Sequence, residues 1–443
     1  MILPMPSDAT PASSSPVPAD TLITDTSRAL PGARAALILL LLINLMNYVD
    51  RQILSAVEKP IGEEFKVSAA ATGWLATAFL LAYMVFSPIF GVMADRVRRW
   101  AIVGGGVIIW SLASGGSGAV PTFAMLVGMR LLIGIGEAAY GPVAPTLLSD
   151  MYPVAVRGKI MAWFNAAIPV GSALGYVIGG LFHDHWHWAF YATLPPGIIL
   201  GVWCFFMKEP GKLPGAAAEH RKATLHDYLA LFKIKSYTIN CLAMTAMTFS
   251  LGGIAFFMPR YLEGRGQSAE HATPIFGGII VVSGLFATII GGMTGDKLRS
   301  RFPGSYFLVS GLSMLLGFPL FLLILVTPFP YCWGVLFLAV FCLFFNTGPS
   351  NTVLANVTRP SVRATAYALN IFVIHAFGDA VSPPIIGWVA NRWNMGVAFM
   401  VVSVMIFVSG VLWLFGAKHL QEDTDTANRP DDQQRGFEVI APH

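Results

Sequence analysis

Twelve long apolar runs divide this chain of 443 residues and constrain its fold more than any other feature. The runs lie near 35–57, 70–90, 101–119, 121–146, 159–182, 188–207, 237–259, 274–294, 305–327, 331–356, 364–389 and 395–416. Each run holds about 18 or more residues, which is enough for a helix to cross the hydrocarbon core of a membrane. The chain is 55% hydrophobic and only 12% charged, whereas soluble domains carry about 25% charged residues. The sequence therefore predicts an all-α membrane protein with twelve transmembrane helices.

A short charged phrase occurs twice, about half a chain apart. The first copy covers 91–99 and the second covers 292–301, and each follows the second apolar run of its half. Two similar bundles related by a pseudo-twofold axis are the usual frame of a secondary transporter. We therefore expect two pseudo-symmetric six-helix bundles. The predicted division is a tail at 1–33, a first bundle at 34–207, a linker at 208–235, a second bundle at 236–416 and a tail at 417–443.

The charges of the loops predict the orientation of the chain. The loops that would share one side of the membrane, with their borders, hold sixteen Lys or Arg, and those on the other side hold five. The positive-inside bias places the first set, and with it both termini, in the cytoplasm of a cell whose inner membrane holds the protein. The net charge of +4 reflects this bias, and no basic stripe points to a nucleic-acid partner.

The segments outside the spans are expected to comprise two disordered tails and a linker with one short helix. Residues 1–30 are rich in Pro, Ser, Thr and Ala without an apolar signal core, and residues 420–443 are polar, so both are expected to be disordered. In the linker, Leu225, Tyr228 and Leu229 with Phe232 follow helical spacing and predict a short amphipathic helix on the membrane surface. A helix that docks a partner is the alternative.

The two charged phrases are candidates for a cytoplasmic gate. Glycine permits close backbone approach, and arginine binds carboxylates through two N–H donors. Such a cluster would hold the cytoplasmic face closed, and the alternative is that these charges only anchor loops among lipid headgroups and set topology. The gate residues predicted in this way are Gly91, Asp95, Arg96, Arg98, Arg99, Asp150, Arg157, Asp296, Lys297 and Arg299.

The run from Gly91 to Arg99 resembles the signature of the major facilitator superfamily, and the resemblance extends over about 34–418. The second copy departs from it, because Lys297 replaces the first arginine and Ser300 interrupts the basic run. A narrower resemblance is to the Spinster branch, which includes lysosomal lysophospholipid transporters, sphingosine 1-phosphate exporters and bacterial members. The segments that carry it are 47–51, Arg130 with Glu137, 363–368 and 375–383. It implies a major-facilitator fold and transport by alternating access.

Four charged residues inside the apolar runs of the first half are candidates for the transport site. Charged groups in the hydrocarbon region are costly and by default functional. Glu137 is predicted to take up and release a proton, and Asp50 is a second candidate for proton coupling. Arg51 and Arg130, with Tyr48 nearby, are predicted to bind an anionic headgroup. The alternative is that these groups form structural ion pairs between helices.

The second half offers fewer polar candidates. His375 and Asp379 are four residues apart and share a helical face, so either is a candidate for protonation, and a contact to the first motif is the alternative for Asp379. Asn346 and Asn351 flank Thr347-Gly348-Pro349, which could break the tenth run and expose polar groups to a substrate.

The remaining patterns favour no cofactor, metal or enzyme. The alternating run of 183–188 suits a metal site poorly, and the sequence contains no phosphate-binding loop or catalytic triad. We therefore expect a monomeric, proton-coupled secondary transporter of an amphipathic, anionic, lipid-like solute such as a lysophospholipid or a sphingolipid relative. A proton-coupled organic-anion or multidrug carrier is the alternative, and a receptor without transport is an alternative of another class.

Overall fold

The computed structural model describes residues 29–94, 96–210, 230–359 and 362–427. Within these ranges the chain is almost wholly helical and contains twelve helical spans that are long and apolar enough to cross a membrane. The predicted all-α fold with twelve transmembrane helices is thereby confirmed. The part of the linker prediction that rests on Leu225, Tyr228 and Leu229 falls outside the described residues, as do the tails at 1–28 and 428–443.

Each bundle contains six of the spans, and in the described residues these spans and their short flanking segments comprise eight α-helices per bundle. In the first bundle they are α1 (Ala33–Ala56), α2 (Glu58–Glu64), α3 (Ala69–Ala94), α4 (Arg99–Ser117), α5 (Phe123–Tyr140), α6 (Val143–Met151), α7 (Val154–Leu181) and α8 (Trp186–Phe206). In the second they are α9 (Lys235–Gly264), α10 (Ala269–Arg299), α11 (Ser305–Val326), α12 (Tyr331–Phe345), α13 (Thr347–Val357), α14 (Arg363–Ile374), α15 (Ser382–Arg392) and α16 (Met395–Gly416). A further helix, α17 (Leu420–Ala427), follows the second bundle.

Three of the twelve spans are interrupted. The fourth span consists of α5 and α6, separated by Gly141 and Pro142, and the tenth consists of α12 and α13, which meet at Asn346 as the sequence suggested. The eleventh span contains a π-helical turn, His375–Asp379, between α14 and α15. Because a π turn widens the helix and often occurs at functional sites, the turn draws attention to His375 and Asp379.

The C-terminal segment differs from the prediction. Residues 420–427 were expected to be a disordered tail, and this is wrong, because they form α17. Leu420 is buried, and Asp423 Oδ2 accepts a hydrogen bond of 2.7 Å from the Ser236 backbone N–H at the start of α9. A carboxylate at a helix N-terminus satisfies a free N–H group and interacts favourably with the helix dipole. One buried side chain and one cap thus hold a mostly polar segment on the bundle.

The two bundles meet along one half of the molecule. We name the end that carries Gly91 and Gly292 the motif face, and the opposite end, where α1 and α9 finish at Ala56 and Gly264, the far face. In the far half α3 lies against α15, and α7 lies against α10. A Cβ atom on Gly73 would come within 2.6 Å of the Pro383 carbonyl carbon. Backbones this close leave no room for a side chain, so glycine is required there.

Candidate functional site

The centre of the site is an ion pair between the first and fourth spans. Arg51 donates to Oε2 of Glu137 through Nε at 2.9 Å and through Nη2 at 2.7 Å. Glu137 is fully buried, whereas a quarter of the Arg51 side chain remains exposed. The guanidinium also lies near the rings of Tyr48, Phe79 and Tyr83, at 5.1, 4.8 and 5.6 Å from their centroids. Aromatic faces attract a cation, so the ring environment and the carboxylate together hold Arg51 in place.

Arg130 is buried with donors that find no partner. Its side chain is 2% exposed, its guanidinium lies 5.1 Å from the Phe190 ring centroid, and Nε and Nη2 have no hydrogen-bond acceptor among the described residues. Asp50 and Glu137 attract it electrostatically without bonding to it. A buried donor without an acceptor costs free energy, so Arg130 is poised to receive an acceptor.

The predicted proton residue Asp50 lies behind the cavity wall. It is buried and accepts a hydrogen bond of 2.9 Å from Ser114 Oγ on α4. It does not line the charged cavity. Its carboxylate is therefore placed to influence the cavity through Arg130 rather than by direct contact with a solute.

Arg51, Arg130 and Glu137 line a charged cavity of about 270 Å³ between the bundles. The second bundle contributes His375 and Asp379, whose side chains bond to each other at 2.9 Å from Nδ1 to Oδ2. The predicted alternative contact between Asp379 and the first motif is not formed, since the neighbouring Ala380 lies beside Thr77, about 20 Å along α3 from Gly91. Tyr48 lines the same cavity, so the structure brings six predicted site residues together there.

An apolar cavity of about 610 Å³ adjoins the charged one. Its walls come mainly from α7, α9, α10 and α12, and Gln52 and Ala255 line both cavities. The size is within the range of small-molecule sites, which are commonly apolar with a few polar groups. The site therefore has a charged end, built mostly on the first bundle, and an apolar end, built mostly on the second.

Sequence reasoning missed several polar residues of the first bundle. Asn44, Asn47 and Tyr140 are buried and, together with Arg51 and Glu137, line a further polar cavity of about 210 Å³. A single amide side chain in an apolar run is only a weak indication that the residue lines a cavity. Asn346 and Asn351, in contrast, were predicted to touch substrate and line none of these three cavities. Asn346 is buried next to the Met314 sulfur, and Asn351 bonds to the Thr347 carbonyl.

At the motif face the predicted gate residues bond within their own bundles. Arg99 donates to Asp150 in the first bundle at 2.6 Å and to Glu209, just after the last helix of that bundle, at 2.7 Å. The carbonyls of Phe205 and Met207 accept from Arg98, and those of Ser149 and Tyr152 accept from Arg157. In the second bundle Tyr306 donates to Asp296 at 2.8 Å, and Arg299 donates to the Pro303 carbonyl at 2.7 Å. Arg96 and Lys297 are exposed, and Asp95 lies outside the described residues.

The motif glycines make no close approach between bundles in this conformation. A Cβ atom on Gly91 or on Gly292 would meet nothing within 4 Å. Gly292 does approach another helix of its own bundle, since a Cβ atom on Gly348 would lie 3.1 Å from the Gly292 Cα.

The far face carries ion pairs between the bundles that sequence reasoning missed. Arg260 on α9 donates to Oε1 of Glu58 at 2.8 Å, and Lys59 donates to Oε2 of Glu263 at 2.9 Å. Thr72 also donates to the Glu58 carboxylate. Both pairs join α2, which follows the first span of the first bundle, to the end of the first span of the second bundle. The indication available in the sequence was that opposite charges stand near the ends of the first spans of the two halves.

The described residues contain no group of three His, Cys, Asp or Glu side chains that could hold a metal ion. His183, from the alternating run, instead lies 3.4 Å from Glu263 and joins the far-face charges. The run therefore takes part in contacts between the bundles.

Comparison with known proteins shows the family to which this chain belongs. Residues 40–378 match the Major Facilitator Superfamily. The chain is 32% identical over 430 residues to the sphingosine-1-phosphate transporter SPNS2 of Danio rerio, which covers 88% of this chain and 85% of that protein. It is also 32% identical over 394 residues to protein spinster homolog 1 of Homo sapiens, covering 82% and 74% of the two chains.

The fold agrees with a solved structure as well. A bacterial homologue of the human lysosomal transporter Spinster, in an inward-facing and unoccupied conformation, superposes with a TM-score of 0.77 at 20% identity, over 90% of this chain and 98% of that one. At this identity the likeness concerns the fold alone. Together with the family match and the relatives above 30% identity, the observations establish that the chain belongs to the Spinster branch of the major facilitator superfamily and is a membrane transporter, not an enzyme.

Proposed function

We propose that this transporter carries an amphipathic, anionic, lipid-like solute, related to a lysophospholipid or a sphingolipid, by alternating access coupled to protons. The observation that carries the proposal is the continuity of the charged cavity with the apolar one through Gln52 and Ala255. A solute with an anionic headgroup and a single hydrocarbon chain matches both ends. The relative named as a sphingosine-1-phosphate transporter supports the same substrate class.

The charged end would recognise the headgroup through arginine. Arg130 has free donors in a buried position, and Arg51 is the more exposed of the two. A guanidinium presents a planar fork of donors that fits phosphate oxygens, and such bonds are strong in a site that excludes water. The apolar end would remove the hydrocarbon chain from water and contribute in proportion to the area buried.

Proton coupling follows from competition for Arg51. In this conformation Glu137 occupies two of the Arg51 donors. Protonation of Glu137 removes its charge and weakens these bonds, which releases Arg51 to bind an anion. A proton on Glu137 and an anion on Arg51 therefore favour each other, and this mutual preference is a coupling free energy.

The other predicted residues take supporting roles in the proposal. Asp50 acts on Arg130 electrostatically, and the His375–Asp379 pair offers a second protonation site on the opposite bundle. The charges of the motif face would close that face when the far face opens. The protein would work as a monomer in the inner membrane with both termini in the cytoplasm, because the loop charges favour this orientation.

The test is flux of a labelled lysophospholipid into or out of liposomes that contain the purified protein, with and without an imposed pH gradient. Glu137→Gln keeps the shape of the side chain and cannot cycle a proton. We expect the gradient to accelerate flux by the natural protein and to lose this effect in the variant, while binding of the lipid persists. Glu63→Gln, at an exposed glutamate of α2, is the matched control.

Two outcomes would contradict parts of the proposal. Gradient-driven flux that persists in folded Glu137→Gln would exclude this residue as the coupling site. No flux of any lysophospholipid by folded protein would exclude the lipid class and favour the organic-anion carrier, for which the charged cavity alone would suffice. Binding without flux under every gradient would favour the receptor.

A further inference from the structure

The apolar cavity is lined by one glycine, Gly284, and close packing between helices does not explain why this position lacks a side chain. On α10, Gly277 lies against α7, where a Cβ atom would come within 3.2 Å of the Ala173 Cα, and Gly291 lies against the Phe345 carbonyl even more closely. These two glycines serve close packing between helices. Gly278 and Gly292 face open space. Gly284 belongs to neither group.

Gly284 faces the interior of the apolar cavity. It lines this cavity together with Phe276, Ile280 and Thr288, which are spaced at four-residue intervals along one face of α10. A Cβ atom on Gly284 would lie 3.7 Å from the Phe344 ring, which is an ordinary van der Waals distance. A methyl group therefore fits without a clash, whereas a longer side chain would have to extend into the cavity. The absence of a side chain serves the cavity volume.

Gly284 lies part of the way along the apolar cavity, at a distance from the charged end. Gln52, at the charged end, lies at the level of Gly175, beside the α7 residues Ala173 and Tyr176 that contact Gly277. From Phe276 to Gly284 the rise along α10 is about 12 Å, and the cavity wall continues beyond it to Ile289. A hydrocarbon chain that starts at the charged end would pass Gly284 only if it is long enough.

We propose that Gly284 and the facing Phe344 determine the length of hydrocarbon chain that this transporter accepts. The inference rests on the proposed function and deepens it, because it assigns chain-length selectivity to one position. The space beside Gly284 is the passage to the deeper part of the cavity. A short chain ends before this passage and does not sense it, whereas a long chain must cross it.

The experiment measures initial rates of transport for lysophosphatidylglycerols with decanoyl, dodecanoyl, myristoyl, palmitoyl and stearoyl chains. Gly284→Leu should leave the decanoyl rate near that of the natural protein and lower the stearoyl rate by about tenfold or more, since one or two methylene groups in an apolar pocket change discrimination by this amount. Gly284→Ala should shift the profile slightly. Gly278→Leu is the matched control, because it adds the same side chain to the same helix where nothing lies within 4 Å.

A compensating variant makes the test specific for the passage. Phe344→Ala widens the cavity opposite Gly284 and should restore long chains to Gly284→Leu, because neighbouring substitutions that share a cavity are coupled. Alone, it should move the preference of the natural protein towards longer chains. If Gly284→Leu fails to fold, the single Phe344→Ala variant decides the question, and an unchanged chain-length profile overturns the inference.

The outcomes separate this inference from the proposed function. Transport of lysophospholipids with the same chain-length profile in Gly284→Leu and Gly278→Leu would overturn the role of Gly284 and leave the substrate class standing. An equal loss at every chain length in folded Gly284→Leu would also overturn it. If the natural protein carries no lysophospholipid of any length, both the proposed function and this inference fall.

Discussion

The two faces of the molecule use charge in different ways. At the motif face, where charge is most conspicuous in the sequence, Arg99, Asp296 and Arg299 bond within their own bundles. At the far face the Glu58–Arg260 and Lys59–Glu263 pairs cross from one bundle to the other. In this conformation ion pairs join the two bundles at the far face, whereas the described bonds of the motif-face charges each lie within one half of the chain.

The difference teaches that a charged motif and a closed gate are separate properties. Charges that bond within a bundle stabilise that bundle in every conformation, so they do not favour one state of the cycle over another. Charges that bond between bundles contribute only while their face is closed. A ligand or contact shifts a conformational equilibrium only by its difference in free energy between the two states. The far-face pairs meet this condition in the present conformation.

The largest expected effect comes from the backbone contact that lies beneath the far-face charges. Gly73→Ala and Gly387→Ala each place a Cβ atom against the opposite bundle, at the Pro383 and Ala69 carbonyls respectively. Overpacking of this kind costs about 1–3 kcal/mol per site, so the double variant should open the far face and lower transport about tenfold or more. Spin labels on Ser68 and Glu270 would report a longer distance between the bundles. Gly105→Ala, whose Cβ atom meets nothing within 4 Å, should change neither quantity.

The next effect concerns the buried ion pair. Arg260→Met leaves the fully buried Glu58 carboxylate with its Thr72 hydrogen bond but without its cation, and a hydrogen bond to a charged group contributes about 1.5–3 kcal/mol. The population of the open far face should rise, as measured by the same labels. Lys59→Met breaks a pair that is almost as buried, but His183 Nε2 remains 3.4 Å from the Glu263 carboxylate, so we expect a smaller effect of about 1 kcal/mol. Equal effects of the two variants would show that His183 does not compensate for the lost lysine.

A pH effect should follow from Glu58. Burial raises the pKa of its carboxyl above the usual 4.5, an effect that the Arg260 charge and the Thr72 hydrogen bond oppose and that the Glu263 charge reinforces. An open far face would hydrate Glu58 and return its pKa towards 4.5, so the closed state binds the proton more tightly. Acidification within the window above 4.5 should therefore favour closure, and this contribution should disappear as the pH rises through the raised pKa.

Lys59, next to Glu58, does not reverse the predicted effect of acidification on closure of the far face. The hydrogen bond to Glu263 raises the pKa of Lys59 above 10.5, so Lys59 stays charged throughout the acidic and neutral range. Spin-label distances measured as a function of pH should show the closure in natural protein and a smaller pH response in Glu58→Gln, in which His183 still lies beside Glu263. A pH profile that Glu58→Gln leaves unchanged would assign the response to another group.

The smallest expected effect is at the motif face. Arg99→Met removes the bonds to Asp150 and Glu209 and should lower the free energy of unfolding by about 1 kcal/mol, because both partners are only partly buried. The far-face distance should stay the same, since these bonds do not cross between bundles. Thermal unfolding and the spin-label distance together test this. A change in distance without a loss of stability would show that Arg99 already acts as a gate in this state.

The sequence predicted the spans and much of the charged cavity because both signals are local. An apolar run of about 18 residues has to be a helix in a membrane, and a charge inside such a run has to face a cavity or a partner. Arg51, Arg130 and Glu137 were found in this way. The partner of Glu137 was not, because its pairing with Arg51 depends on how α1 and α5 are placed against each other.

The far-face pairs and Gly284 show the limit of that reasoning. Glu58 and Arg260 are 202 residues apart in sequence, and charges at helix ends are ordinary in membrane proteins. Gly284 resembles Gly277, Gly278 and Gly291 on the same helix, and only the surroundings of each Cβ position separate them. Nothing local distinguishes a glycine that packs from one that leaves a cavity open.

Local composition and periodicity thus specify the membrane environment, the twelve spans and the residues that must avoid lipid, because the cost of placing polar groups in hydrocarbon acts on each segment separately. The tertiary structure decides which charges meet, which face is closed, and where an apolar cavity adjoins a charged one. These properties depend on the relative position of helices from different halves of the chain. The free energy that sets this position is shared among many contacts between residues far apart in the chain, so no single stretch of sequence indicates it.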